Sequence, residues 1–131
     1  HSPRITVREA RPEEGPRLLE LICALAEYEK LDPPDPAAQQ RLLNDIFGPR
    51  PRLGALLVFA GDLAVGYALI LETYSSFLAL PTLYLEDIFV LSEYRGVHAG
   101  STLFRAVVAE AKKRGCGRVD WVVLDWNRLA Q

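Results

Sequence analysis

Leu83-Tyr84-Leu85-Glu86-Asp87-Ile88-Phe89-Val90-Leu91-Ser92-Glu93-Tyr94-Arg95-Gly96-Val97-His98-Ala99-Gly100-Ser101 is the stretch whose reading settles the fold. Leu83 to Val90 reads as a strand, and a short turn follows that carries Arg95, Gly96 and Gly100. A helix then begins in which Leu103, Phe104, Val107, Val108 and Ala111 share one face, the period of a core-facing helix. A glycine-bearing turn between a strand and a helix N-terminus leaves several main-chain N–H groups unpaired and aligned. With the helix dipole behind them they suit a phosphate group.

Outward from that stretch the chain divides into short elements. Ile5 to Glu9 alternates as a first strand, and Pro12 to Tyr28 reads as a helix with Leu18, Leu19, Ile22, Leu25 and Ala26 as its buried stripe. Leu31-Asp32-Pro33-Pro34 is a linker. Asp35-Pro36 opens a second helix as cap and first-turn proline, with Leu42, Leu43, Ile46 and Phe47 inward and Gly48-Pro49 as its end. Leu53 to Ala60 and Leu63 to Leu71 are strands about Gly61-Asp62, a hairpin signal. Tyr74 to Thr82 reads as a looser segment, and Arg118 to Leu124 as a fifth strand after Gly115-Cys116-Gly117. The order is β-α-α-β-β-β-α-β, an α/β (α+β) arrangement whose last three elements form a right-handed crossover between parallel strands.

Bulk properties narrow the class. A chain of 131 residues is one domain, read here as residues 4–131, large enough for a real core. Half the residues are hydrophobic, and a formal charge of −2 argues against nucleic acid, which selects a basic face. The one local basic cluster, Arg50 and Arg52 in Gly48-Pro49-Arg50-Pro51-Arg52, is expected to solvate a loop. No apolar run is long enough to cross a membrane, and two cysteines without a Cys-x-x-Cys pattern suit reduced thiols. The expected compartment is the cytoplasm. Two histidines without a Cys/His cluster predict no metal site.

Three known site types share a strand–glycine turn–helix layout. A P-loop needs Gly-x-x-x-x-Gly-Lys-Ser/Thr, and a dinucleotide fingerprint needs Gly-x-Gly-x-x-Gly; neither matches Arg95-Gly96-Val97-His98-Ala99-Gly100. The stretch resembles instead the Arg/Gln-x-x-Gly-x-Gly/Ala acyl-CoA motif of the GNAT acetyltransferases. Leu83 to Val90, Glu93-Tyr94-Arg95-Gly96 and Leu124-Asp125-Trp126-Asn127 together resemble the diamine (spermidine/spermine-type and thialysine-type) N-acetyltransferase branch, and the element order agrees. The resemblance covers nearly all the chain from Ile5.

That resemblance implies a set of roles. Main-chain groups of Val97, His98, Ala99, Gly100 and Ser101, beside Gly96 and with charge from Arg95, would hold the pyrophosphate of acetyl-CoA. Main-chain groups of Ile88, Phe89 and Val90 would run along its pantetheine arm and offer an N–H to the thioester oxygen, and Asn127 would reach it from the fifth strand. Glu86 would be the water-mediated general base; Asp87, Tyr28 and Glu29 would line the channel for a small-molecule amine. A primary amine has a pKa near 10, so transfer to it needs a proton acceptor. Simple strand alternation puts Glu86 with Tyr84 and Ile88, and Asp87 with Leu85 and Phe89, so the two carboxylates are expected to face apart. Trp121 is read as a core residue.

Two departures from the family pattern bear on the chemistry. His98 stands where glycine is usual, and histidine tolerates positive φ better than most residues. The family's tyrosine general acid, on the helix after the Trp-Asn segment, would lie beyond Gln131, so the domain is expected to lack its final helix and strand here. Ser76 replaces an acidic residue of the polyamine enzymes, which makes a short diamine or thialysine-like amino acid at least as good an acceptor as a polyamine. A homodimer is implied by the resemblance alone. A non-catalytic acyl-CoA-binding or regulatory module of the same fold is the alternative, and nucleotide binding by the same turn is a third.

Overall fold

A computed structural model describes residues 3–121. Five strands form one sheet in the order of the chain: β1 (Ile5–Glu9), β2 (Gly54–Ala60), β3 (Leu63–Ser75), β4 (Leu80–Val90) and β5 (Val119–Asp120). The first four pair antiparallel and β4 pairs parallel with β5. Three helices, α1 (Gly15–Glu29), α2 (Pro36–Phe47) and α3 (Ala99–Lys113), cover the sheet. The expected element order holds throughout the described residues.

The helices divide the core into two layers. Leu103, Val107 and Ala111 of α3 pack on Val58, Ile70, Leu83 and Leu85 on one face. Leu18, Leu21 and Ile22 of α1, with Ile46 of α2, pack on Leu57, Tyr67, Leu69 and Phe89 on the other. A sheet covered on both faces explains the apolar runs Ala55 to Ala60 of β2 and Ala64 to Ile70 of β3, in which every residue is buried. Leu21 completes the α1 stripe, whereas Leu19 and Leu25 are only partly covered.

Local chemistry accounts for the ends. A 3-10 turn (Pro12–Glu14) precedes α1, so the helix proper starts at Gly15. Glu14 accepts both Arg8 guanidinium nitrogens at 2.8 and 2.6 Å, and this pairing holds its pKa down at about 2. Asp35 caps α2 by accepting the Ala38 N–H at 2.8 Å, as the Asp35-Pro36 pattern predicts.

The looser segment expected over Tyr74 to Thr82 is ordered. Ser75 pairs with Leu80, and residues 76–79 make the turn of a long β3–β4 hairpin. Ala79 takes positive φ (55°) there and its N–H donates to the Ser75 carbonyl at 2.8 Å. That turn contains no Gly, Asn or Pro, the residues that announce such geometry in a sequence.

Gly66 in mid-β3 is fixed by its neighbours. A Cβ there would lie 2.4 Å from the Phe89 carbonyl oxygen and 2.9 Å from methyls of Val58 and Val90. The nearest of these is main chain and cannot swing aside. Gly66→Ala is expected to cost about 3 kcal/mol, the upper range for overpacking, read as a lower urea midpoint. An unchanged midpoint would contradict this packing.

Candidate active site

The two adjacent acids do not face apart. Asp87 pairs with Leu69 and Leu85 with Ile70, so Glu86 is the extra residue of a β-bulge. The bulge resets the alternation of β4. Leu83 and Leu85 stay in the α3 layer, while Asp87 joins Tyr67 and Phe89 on the α1 side. Glu86 and Asp87 therefore line one cavity of about 410 Å³, floored by Leu69 and Leu71 and walled by Ile22 of α1 and Leu42 of α2. Unbroken alternation forbids that placement; one extra residue permits it.

The electrostatics follow from the crowding. Asp87 is half-buried, and its pKa is raised first by burial and then by the Glu86 charge. A long hydrogen bond from Tyr67 (Oη to Oδ2, 3.5 Å) opposes the rise, and Glu29 adds to it. Burial and the Asp87 charge push the Tyr67 hydroxyl far above its ordinary value, so it remains a donor. A protonated amine entering here would meet three carboxylates.

Tyr28 and Glu29, at the end of α1, belong to this corner. The Tyr28 ring lies 6.2 Å from that of Phe89, and Arg95 sits over both rings, 4.8 and 5.5 Å from their centroids. Arg95 also donates from Nε to the Val90 carbonyl at 2.9 Å. Its guanidinium thus ties the end of β4 to the end of α1, a positioning contact that sequence reasoning did not disclose.

The glycine turn is more structured than a loop. Ser92–Val97 is a 3-10 helix, so its N–H groups, Val97 included, are drawn into i to i+3 bonding. His98 follows with positive φ (67°) as the N-cap of α3, the backbone state its tolerance allows. The first bond of α3 is from the Thr102 N–H to the His98 carbonyl (3.0 Å). The N–H groups of Ala99, Gly100 and Ser101 precede it and have no intrahelical acceptor. Gly96 and Gly100 border this corner, and a Cβ on either would meet nothing within 4 Å.

Beside the corner runs the outer edge of β4, unpaired past Tyr84 among the described residues. Among the described residues β5 pairs with β4 only at Leu83–Val119 and Tyr84–Asp120. The Leu91 N–H bonds to Val65, so by alternation Asp87 and Phe89 turn their main-chain groups to β3. Ile88 and Val90 turn theirs outward, where Arg95 occupies the Val90 carbonyl. Asn127 lies outside the described residues. Trp121, read as a core residue, is instead about half-exposed and stands edge-on to the Phe104 ring at 5.8 Å, at the margin of the α3 layer.

The sequence of residues 16–131 matches the model of the acetyltransferase (GNAT) family. The chain belongs to the GNAT acetyltransferases. A thialysine N-epsilon-acetyltransferase from Bos taurus is 36% identical over 134 residues, covering 96% of this chain and 78% of that protein. An L-ornithine N5-acetyltransferase, NATA1, from Arabidopsis thaliana is 47% identical over 62 residues, 47% of this chain and 27% of that protein. The crystal structure of a probable acetyltransferase superposes with a TM-score of 0.83 at 19% identity, covering 96% of this chain and 83% of that one, a likeness of fold.

Within this GNAT domain two sequence readings change. Ser76 sits in the hairpin turn, seven residues along β3 from Leu69, or roughly 20 Å at strand spacing. Its lack of charge therefore says little about the Asp87 cavity of the same chain. Arg52 does more than solvate a loop: exposed as expected, it also borders that cavity with Asp45 and Leu53. No helix among the described residues is long and apolar enough to cross a membrane.

Proposed function

We propose that this GNAT enzyme moves an acetyl group from acetyl-CoA to a primary amine of a small molecule (a diamine, a polyamine or a thialysine-like amino acid) by direct attack in a ternary complex. The observation that carries this reading is the β4 bulge, which brings Glu86 and Asp87 into one cavity. The N–H groups of Ala99, Gly100 and Ser101 and the space at Gly96 and Gly100 fit the diphosphate of the family's donor. Val97 and His98 frame that corner, and Arg95 keeps a positive charge beside it. Ile88 and Val90, whose main-chain groups turn outward, give the donor's arm a strand edge to run along, whereas those of Phe89, expected to join them, are taken by β3. Bound acetyl-CoA supplies the activated acetyl group.

The chain's own residues would handle the amine. Glu29 and Asp87 attract the ammonium form, and Tyr28 closes the side of the channel. Glu86, exposed at the bulge, accepts the proton directly or through one water, so that the neutral nitrogen can form its new C–N bond. The C–S bond breaks, and the proton that the nitrogen sheds on becoming an amide passes to the departing sulfur, so that free CoA leaves as the thiol. A cytoplasmic homodimer is part of this reading by resemblance, and the unpaired Cys23 and Cys116 suit a reducing compartment.

Titration with acetyl-CoA followed by a panel of amines, with free thiol detected, tests the proposal. Saturable binding and amine-dependent CoA release are expected. Saturable binding without release for any amine would overturn acetyl transfer and favour a binding module.

A further inference from the structure

The stretch Gly48-Pro49-Arg50-Pro51-Arg52 is an exposed loop, as expected, but its main chain is held in place and it bears on what the acceptor is. Two prolines fix φ on either side of Arg50. The segment is pinned at both ends, by Gly48 N–H to the Asn44 carbonyl (2.8 Å) and Arg52 N–H to the Asp45 carbonyl (2.7 Å). Arg52 is thereby held against the end of α2. Among the described residues it is the only cationic side chain lining the cavity that contains Glu86 and Asp87, and it forms no ion pair there.

The cavity's charges are spatially sorted. Arg52 and Asp45 stand together at the β2 side, and Glu86 and Asp87 stand at β4, two strands away, with the leucines of β3 between them. At about 4.8 Å per strand, the two charged ends are separated by roughly 10 Å across the sheet before their side chains reach inward. A chain of three or four methylenes with a zwitterionic head spans such a gap. A diamine or polyamine of that length offers Asp45 a second ammonium but leaves Arg52 without an anionic partner, so it engages only half of this charged end.

Resting on the acetyl-transfer reading above, we propose that Arg52 is a specificity residue that binds the α-carboxylate of an ω-amino acid acceptor. Asp45 takes the α-ammonium of the same head group, and the ω-amine lies at Glu86 and Asp87. Guanidinium–carboxylate pairing is the planar two-point recognition at which arginine excels and lysine does not. The preorganised loop limits the entropy lost on binding.

Steady-state kinetics on ornithine and on putrescine, its decarboxylated counterpart, read the selectivity directly. The wild type should prefer ornithine. Arg52→Gln should lower the ornithine-to-putrescine ratio of kcat/KM by about 10- to 100-fold, through KM, the loss expected of one charged hydrogen-bonded pair. Arg52→Lys should restore only part of it. Calorimetric binding of the same two compounds gives a readout independent of turnover. Ornithine binding that weakens in Arg52→Gln without any CoA release would keep the carboxylate site and refute acetyl transfer. Turnover with an unaltered ratio in Arg52→Gln would keep acetyl transfer and refute the role of Arg52.

Discussion

Gly100→Glu is expected to abolish acetyl-CoA binding while the protein stays folded. Nothing within the described chain needs a glycine at this position: a Cβ there meets no atom within 4 Å, and the residue lies in the first turn of α3 with ordinary negative φ. A helix-compatible residue should even stabilise α3, by about 0.5–1 kcal/mol, because glycine loses more backbone entropy on folding. A carboxylate near a helix N-terminus is also favourable to the empty protein. The same carboxylate would fill the space and reverse the charge where a diphosphate is proposed to sit. Affinity should fall at least about 100-fold, near 2.7 kcal/mol, with an equal or higher Tm. A variant that binds acetyl-CoA normally would remove the anion from this corner. One that melts well below the wild type would show that the fold, not a ligand, requires the glycine.

Glu86→Gln is expected to lower turnover by about 10²- to 10⁴-fold, the range of a positioned proton acceptor, with little change in acetyl-CoA affinity. Glu86 sits on the bulge and makes no main-chain pairing that Gln would disturb, so the change is isosteric and local. Its second effect concerns pH. The Glu86 charge raises the Asp87 pKa, so a neutral neighbour lets Asp87 ionise at lower pH. The acid limb of kcat/KM for a cationic amine should therefore move to lower pH in Glu86→Gln, even as the plateau drops. In Asp87→Asn the contribution of Asp87 to that limb should vanish. An unaltered rate near neutral pH would take Glu86 out of the mechanism, and an unmoved acid limb would uncouple the two carboxylates.

Much of this arrangement is legible in the sequence, and the reasons for the rest are physical. The alternating strands, the Asp35-Pro36 cap and the period of α3 predict their elements because each is decided by neighbours a few residues away. Histidine at position 98 is read correctly as a residue that can take positive φ. The bulge at Glu86 is not legible, because it depends on the register of β3 against β4, a pairing of residues some twenty apart in the chain. Missing it reverses the conclusion on whether the two carboxylates meet. The cavity role of Arg52 is missed for a similar reason: the loop is exposed, as its prolines and arginines suggest, and only the bond from the Arg52 N–H to the Asp45 carbonyl shows that Arg52 also borders the cavity. The Ser75–Leu80 hairpin escapes notice because its positive-φ position is taken by Ala79, where no glycine or asparagine marks it.

The central claim is that main-chain amides at the start of α3 hold the diphosphate of a thioester donor. Amide chemical shifts of the ¹⁵N-labelled protein during acetyl-CoA titration test it most directly. The account predicts large, saturating shifts at Ala99, Gly100 and Ser101, with a second set along Ile88 to Val90. Saturable binding that leaves the Ala99 to Ser101 amides in place would contradict it.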